Sequence, residues 1–186
     1  YLSTRYLLRL GRKRIAFIIY YWADHIRNYE DFIKEYETSN HGCFTAYDRY
    51  TGYCRALKEA GLEPDPSLLI FGGFSYDSGY YCVKQLLVSG VAFDAMIVPN
   101  DRCGAGVLNF LQEQGFKVPE QVSLVCLDSD LIAKVVSPKL TSISSVDYTI
   151  GQHCAQQLIH LINGEPAHDV EIDAKLLIEN STHFVS

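Results

Sequence analysis

The sequence predicts an α/β fold on a parallel sheet, and three observations carry that expectation. Apolar runs of strand length alternate with patterned stretches of helix length, the rhythm of βαβ units with right-handed crossovers. Gly11, Gly61 and Gly115 stand where helical patterns stop. Three apolar runs also end in residues able to meet a ligand, as the strands of open α/β sheets do at their carboxyl edge.

The elements follow in order. "YLSTRYLLRLG" places Leu2, Tyr6, Leu7 and Leu10 at helical spacing before Gly11, and "RIAFIIYY" reads as a buried strand. The stretch 22–46 is polar and aromatic, with one helix patterned over 29–37. "RYTGYCRALKEAG" is helical and "LEPDP" is a turn. The alternation is then regular: strand "LLIFGG", helix over 77–89, strand "AMIVP", helix over 102–114, strand "VSLVCL". An irregular, proline-containing segment leads to Leu140, the short strand "TSIS" and a helix over 148–163. "HDVEIDAKLLIEN" reads as a strand pair.

Composition narrows the function classes. A chain of 186 residues, 48% hydrophobic and 20% charged, is long and apolar enough to bury one core. The net charge is −6, and Lys and Arg are scattered apart from Arg9, Arg12, Lys13 and Arg14. The cluster Arg12–Arg14 reads as a solvated turn, and this segment is not expected to track a phosphate backbone itself. Six cysteines, at 43, 54, 82, 103, 126 and 154, form no C-x-x-C and no metal spacing with histidine. They read as small core residues in a reducing compartment, which points to the cytoplasm. No signal peptide or membrane-spanning run is legible, although the chain does not begin with Met and a leader or a further domain can precede Tyr1.

The strand ends supply the candidate site. Phe74 follows "LLIFGG", Asn100 and Asp101 follow "AMIVP", and Asp128 follows "VSLVCL". Parallel strands put these residues on one edge. Asp101 also reads as the N-cap of a helix beginning at Arg102, and Phe74 equally as core. The six histidines form no H-E-x-x-H, and G-x-S-x-G, P-loop and G-x-G-x-x-G patterns are missing. No nucleophile and base can be paired, so a non-enzyme without metal or cofactor is expected.

At these residues the chain resembles a known family. "GYCRALKEAGLEPDPSLLIFGGFSYDSGYYCVKQLL", "FDAMIVPNDRCGAGVLNFLQEQGFKVPEQVSLVCLDSD" and "SPKLTSISSVDYTIGQHCAQQLIHLINGE" are similar to the effector-binding domain of the LacI/GalR family of bacterial repressors. The resemblance runs from Leu2 to Thr182 and implies the periplasmic-binding-protein-like (type I) fold of two parallel-sheet lobes. It implies a nearly complete C-terminal lobe, 47–139 with 164–184, and a partial N-terminal lobe, 1–21 with 140–163. The stretch 22–46 is then a long cleft-side insertion. The missing strands and a helix-turn-helix headpiece would precede Tyr1, and operator DNA would be reached only through that headpiece.

The resemblance also implies the ligand contacts. Arg49 matches an arginine that bonds ligand oxygens, Phe74 an aromatic packed on the ligand ring, Asn100 an amide contact and Asp128 an acid that accepts from hydroxyls. A fork donor, an amide, an acceptor and one apolar face suit a sugar or nucleoside-like effector. The lack of a Lys or second Arg nearby argues against a phosphate. Arg49 pairing with a surface acid, and Asp128 orienting its loop, stay open as alternatives. So do Trp22 and Tyr47 as stacking surfaces, whereas Tyr20 and Tyr21 read as cover for the sheet. The family's "GFDD" is "CLDS" here, which puts any role of Ser129 in doubt. The resemblance implies a homodimer through Cys103, Ala105, Gly106, Val135 and Val136, although both valines also read as internal packing. Two other readings stand beside the repressor: a sugar-binding protein of a transport system, and a sensor lobe fused to another output domain.

Overall fold

The computed structural model describes residues 1–20, 26, 28–38, 45–128, 130–144 and 147–184. Seven helices and six strands alternate among them. They are α1 (Leu2–Arg9), β1 (Ile15–Tyr20), α2 (Tyr29–Thr38), α3 (Thr45–Glu59), β2 (Leu69–Gly72), α4 (Tyr76–Val88), β3 (Ala95–Val98), α5 (Asp101–Glu113), β4 (Ser123–Cys126), α6 (Leu131–Val135), β5 (Thr141–Ser144), α7 (Asp147–Ile162) and β6 (Lys175–Leu177). The sheet order is β2-β1-β3-β4-β5-β6. Every pairing from β2 through β5 is parallel, and β6 joins β5 antiparallel. The α/β class with a mostly parallel sheet is therefore as expected, and the order reverses between β1 and β3.

Strand pleating divides the core in two. Ala16, Ile18, Met96, Val98, Leu124 and Cys126 pack with α4 and α5 residues such as Val83, Leu86, Val107 and Leu111. The alternate positions, Ile15, Phe17, Ile19, Ala95, Ile97 and Val125, pack with Leu7, Phe32, Tyr50, Tyr53 and Leu57 of α1, α2 and α3. Successive side chains of a strand face opposite sides, so one run of five apolar residues serves both layers. Tyr53 fixes α3 to the sheet: its hydroxyl donates to the Ile15 carbonyl at 2.9 Å and its ring lies 5.3 Å from Phe17.

Several expectations need correction. β1 lies between β2 and β3, and β5 beside β4, so the strands within 1–20 and 140–163, expected in a second lobe, stand in the same sheet as β2, β3 and β4. On α7, Leu158, Ile159, Leu161 and Ile162 are exposed. The irregular segment before Leu140 contains α6, and the expected strand pair near the end is the single strand β6. α3 begins at Thr45, four residues before the expected start. Arg12 is buried, not solvated: its guanidinium donates to the Pro119, Glu120 and Gln121 carbonyls at 2.6, 3.1 and 3.2 Å. Burial is the main cause that lowers its pKa.

Candidate functional site at the carboxyl edge of the sheet

All five parallel strands point their carboxyl ends to one edge. Along it stand Phe74 beyond β2, Tyr20 ending β1, Asn100 beyond β3, Asp128 beyond β4 and Ser144 ending β5. The expected residues do share an edge, yet Phe74 and Asn100 are not on neighbouring strands, because β1 intervenes. Phe74 and Asp128 are three strand spacings apart, roughly 14 Å between backbones at about 4.8 Å per step.

Arg49, in the first turns of α3, reaches Asp128 with Nη2–Oδ2 at 2.8 Å. Both are part-buried, with side chains 28% and 43% exposed. The alternative in which Arg49 pairs with an acid is thus realised, but the acid is the other predicted contact. A hollow of about 330 Å³ opens beside the pair, walled by Tyr1, Leu2, Ser3, Leu127, Ile143 and Ala174. One N–H and one carboxylate oxygen are used, leaving further guanidinium donors and the second oxygen for a ligand. Cation and anion cancel, so the hollow suits a neutral, hydroxyl-rich molecule better than an ion.

The second station is aromatic. Tyr20 stacks on Phe74 with centroids 3.8 Å apart and planes at 29°. Phe74 stays 39% exposed, so plain core packing does not describe it. Tyr20, expected as sheet cover, stands in this station; the strand-end rule applied to β1 as well points to it.

Asn100, and not Asp101, caps the helix. Its Oδ1 accepts from the Cys103 N–H at 2.9 Å, and the cap does not use the amide nitrogen. Asp101 is helical and 5% exposed, and its Oδ2 accepts from the backbone N–H groups of Asp130 and Ala133 at 2.8 and 3.2 Å. It is neither the expected cap nor a surface contact: it ties the loop carrying Asp128 to α5. Tyr47 is also displaced from the edge, 2% exposed with its ring 5.3 Å from Phe32. Trp22 lies outside the described residues.

The residues expected at a dimer interface divide likewise. Cys103 is fully buried in the core, where desolvation raises its thiol pKa. A Cβ on Gly106 would collide with the Tyr76 carbonyl, and one on Gly79 with the Cys103 carbonyl. Cys103 and Gly106 thus serve close packing of α5 against α4 within one chain. Ala105 is half-buried on the same helix. Val136 packs against the core, whereas Val135 is 67% exposed.

A larger hollow of about 450 Å³ lies between α7 and 167–172 and holds none of these edge residues. Its wall is a helix with exposed apolar side chains, so we place the site at the strand edge. Among the described residues no group of three or more His, Cys, Asp or Glu can hold a metal, and no helix is long and apolar enough to cross a membrane.

A mostly parallel doubly wound sheet with a polar pair at its carboxyl edge defines a small-molecule-binding α/β domain. The profile of the periplasmic binding protein-like domain matches residues 4–182, and the chain belongs to that family, in the form carried by LacI/GalR-type regulators. It is 32% identical over 136 residues to the HTH-type transcriptional regulator CelR of Thermobifida fusca, a match covering 72% of this chain and 40% of that protein. The structure of a CelR–cellobiose complex superposes with a TM-score of 0.76 at 28% identity, covering 96% of this chain and 49% of that one. A LacI-type transcription regulator from Bifidobacterium animalis subsp. lactis superposes with a TM-score of 0.82 at 30% identity, covering 97% and 62%. The chain spans about half the length of the curated relatives it matches.

Proposed function

We propose that this chain is the effector-sensing part of a LacI/GalR-type, DNA-binding transcriptional regulator, and that its effector is a neutral polyhydroxylated molecule of the sugar class. The observation that carries this reading is the Arg49–Asp128 pair at 2.8 Å on the ligand-binding edge of a doubly wound sheet. A guanidinium offers several donors and a carboxylate several acceptor sites, the complement of vicinal hydroxyls, each donor and acceptor at once. Phe74 adds an exposed aromatic face and Asn100 an amide nitrogen. The cellobiose bound by the CelR neighbour supports the same class.

In this reading the chain binds and does not catalyse, works in the cytoplasm, needs no cofactor, and controls operator DNA through a headpiece outside residues 1–186. A homodimer presents two such headpieces to two half-sites. The test uses the longer protein that carries this chain. Calorimetric titration with D-glucose, D-galactose and cellobiose should give saturable binding to at least one, and that sugar should shift binding of the protein to its own promoter DNA. No binding to any of them would contradict the sugar class; binding without effect on DNA would contradict the regulatory role.

A further inference from the structure

Below the hollow that holds Arg49 and Asp128 lies a much smaller cavity of about 30 Å³. The two share Tyr1, Ser3, Arg49 and Leu127, so the smaller one is an annex of the larger. Its deeper wall adds Thr4, Phe17, Tyr53 and Ile97. Thr4 is 1% exposed, and its Oγ1 is buried without a hydrogen-bond partner. The other hydroxyl in that wall is engaged, since Tyr53 donates to the Ile15 carbonyl at 2.9 Å. Phe17, Ile97 and Leu127 offer only apolar surface. The annex therefore has room for about one oxygen-sized group, and Thr4 is the buried group there still lacking a bond.

We propose that this annex is a hydroxyl subsite of the effector site and that Thr4 Oγ1 is its recognition atom, which makes Thr4 a specificity-determining residue. The inference rests on the reading of the Arg49–Asp128 hollow as a sugar site. A threonine hydroxyl both donates and accepts, so it matches an alcohol. An ammonium would be desolvated there beside the Arg49 guanidinium, and a carboxylate, with two oxygens, exceeds the room for one. A ring does not fit, so the occupant is one hydroxyl or hydroxymethyl oxygen projecting from a sugar held above. A ligand lacking that oxygen would leave Thr4 buried and unpaired, and a site built to bond a hydroxyl discriminates strongly against the deoxy analogue.

The experiment titrates the longer protein, as wild type, Thr4→Val, Thr4→Ser and Arg49→Ala, with D-glucose, D-galactose, cellobiose and the monodeoxy analogues of whichever binds. Thermal unfolding without sugar is recorded alongside. For the sugar that binds, Thr4→Val should weaken affinity tenfold or more, and Thr4→Ser should stay within about threefold of wild type. One deoxy analogue should bind wild type as weakly as the parent sugar binds Thr4→Val, and Thr4→Val should not discriminate against it. Unliganded Thr4→Val should be as stable as wild type or more so, because an unpaired hydroxyl has been replaced by an isosteric methyl. Unchanged affinity in Thr4→Val with binding lost in Arg49→Ala would overturn the annex and leave the sugar site standing. A lowered unliganded melting temperature with unchanged affinity would assign Thr4 to the backbone instead. No sugar binding, or binding indifferent to both Thr4 and Arg49, would overturn the site and the annex together.

Discussion

Arg49 on α3 and Asp128 beyond β4 hold each other at 2.8 Å, although 79 positions separate them in the chain. The contact joins a helix on one face of the sheet to the loop at its edge. Each group fixes the other's orientation, which would lower the ordering cost for the effector proposed to bind there.

That geometry is expected to matter far more for binding than for folding. With side chains 28% and 43% exposed, solvent screens the pair, and its loss should cost stability about 1 kcal/mol or less. Urea unfolding of Arg49→Ala and Asp128→Ala is the measurement. A loss of several kcal/mol would make the pair a structural tie.

The two residues of the "ND" motif should separate cleanly. Asn100→Ala removes a helix cap, a change of about 1 kcal/mol. Asp101→Ala strands the Asp130 and Ala133 N–H groups in a buried place, at roughly 2–3 kcal/mol. Denaturation midpoints that rank the two the other way would contradict the assignment of cap and tie.

Gly106→Ala should destabilise the single chain, because the added methyl meets the Tyr76 carbonyl. Overpacking of this kind costs about 1–3 kcal/mol or more. A normally stable Gly106→Ala whose self-association alone is lost would return this helix to the dimer interface.

Alkali should weaken the fold. Burial, with a smaller contribution from Asp101, pushes the Cys126 thiol from 9.0 up to about 12. Between those values the unfolded chain has lost a proton that the folded chain keeps, so stability falls as pH rises. Cys103 is shifted in the same direction by burial. Unfolding midpoints at pH 8 and pH 10 should show the fall, with a shallower slope in Cys126→Ala. An identical slope would mean that this thiol does not contribute.

For the proposed dimer, Val135→Glu is the informative substitution, since Val135 is exposed and Val136 packs on the core. Ultracentrifugation of the longer protein should show a dimer that Val135→Glu weakens. An unaffected dimer would place the interface elsewhere.

The sheet was legible because apolar runs such as "AMIVP" and "VSLVCL" are bounded by turn residues, and periodicity reports burial directly. The edge position of Phe74, Asn100 and Asp128 followed from the same pattern. Sheet membership was not legible: nothing local in "RIAFIIY" says that β1 inserts between β2 and β3, which long-range packing decides. Asp101 was misread because a carboxylate before a helix looks like a cap, while its partners lie some thirty positions further along the chain. Gly106 and Cys103 fit an interface in composition, and only the approach of α4 shows that they are used inside the chain. Thr4 carries no signal in the sequence, because an unpaired buried hydroxyl becomes visible only once its surroundings are placed.

The most direct test is calorimetric titration of the longer protein, wild type against Arg49→Ala, with the sugar that binds best among D-glucose, D-galactose and cellobiose. Removing the fork donor from a part-buried site should cost about 2 kcal/mol or more, roughly thirtyfold in affinity, with the fold intact. Equal affinity of the two proteins would contradict the placement of the effector at Arg49 and Asp128.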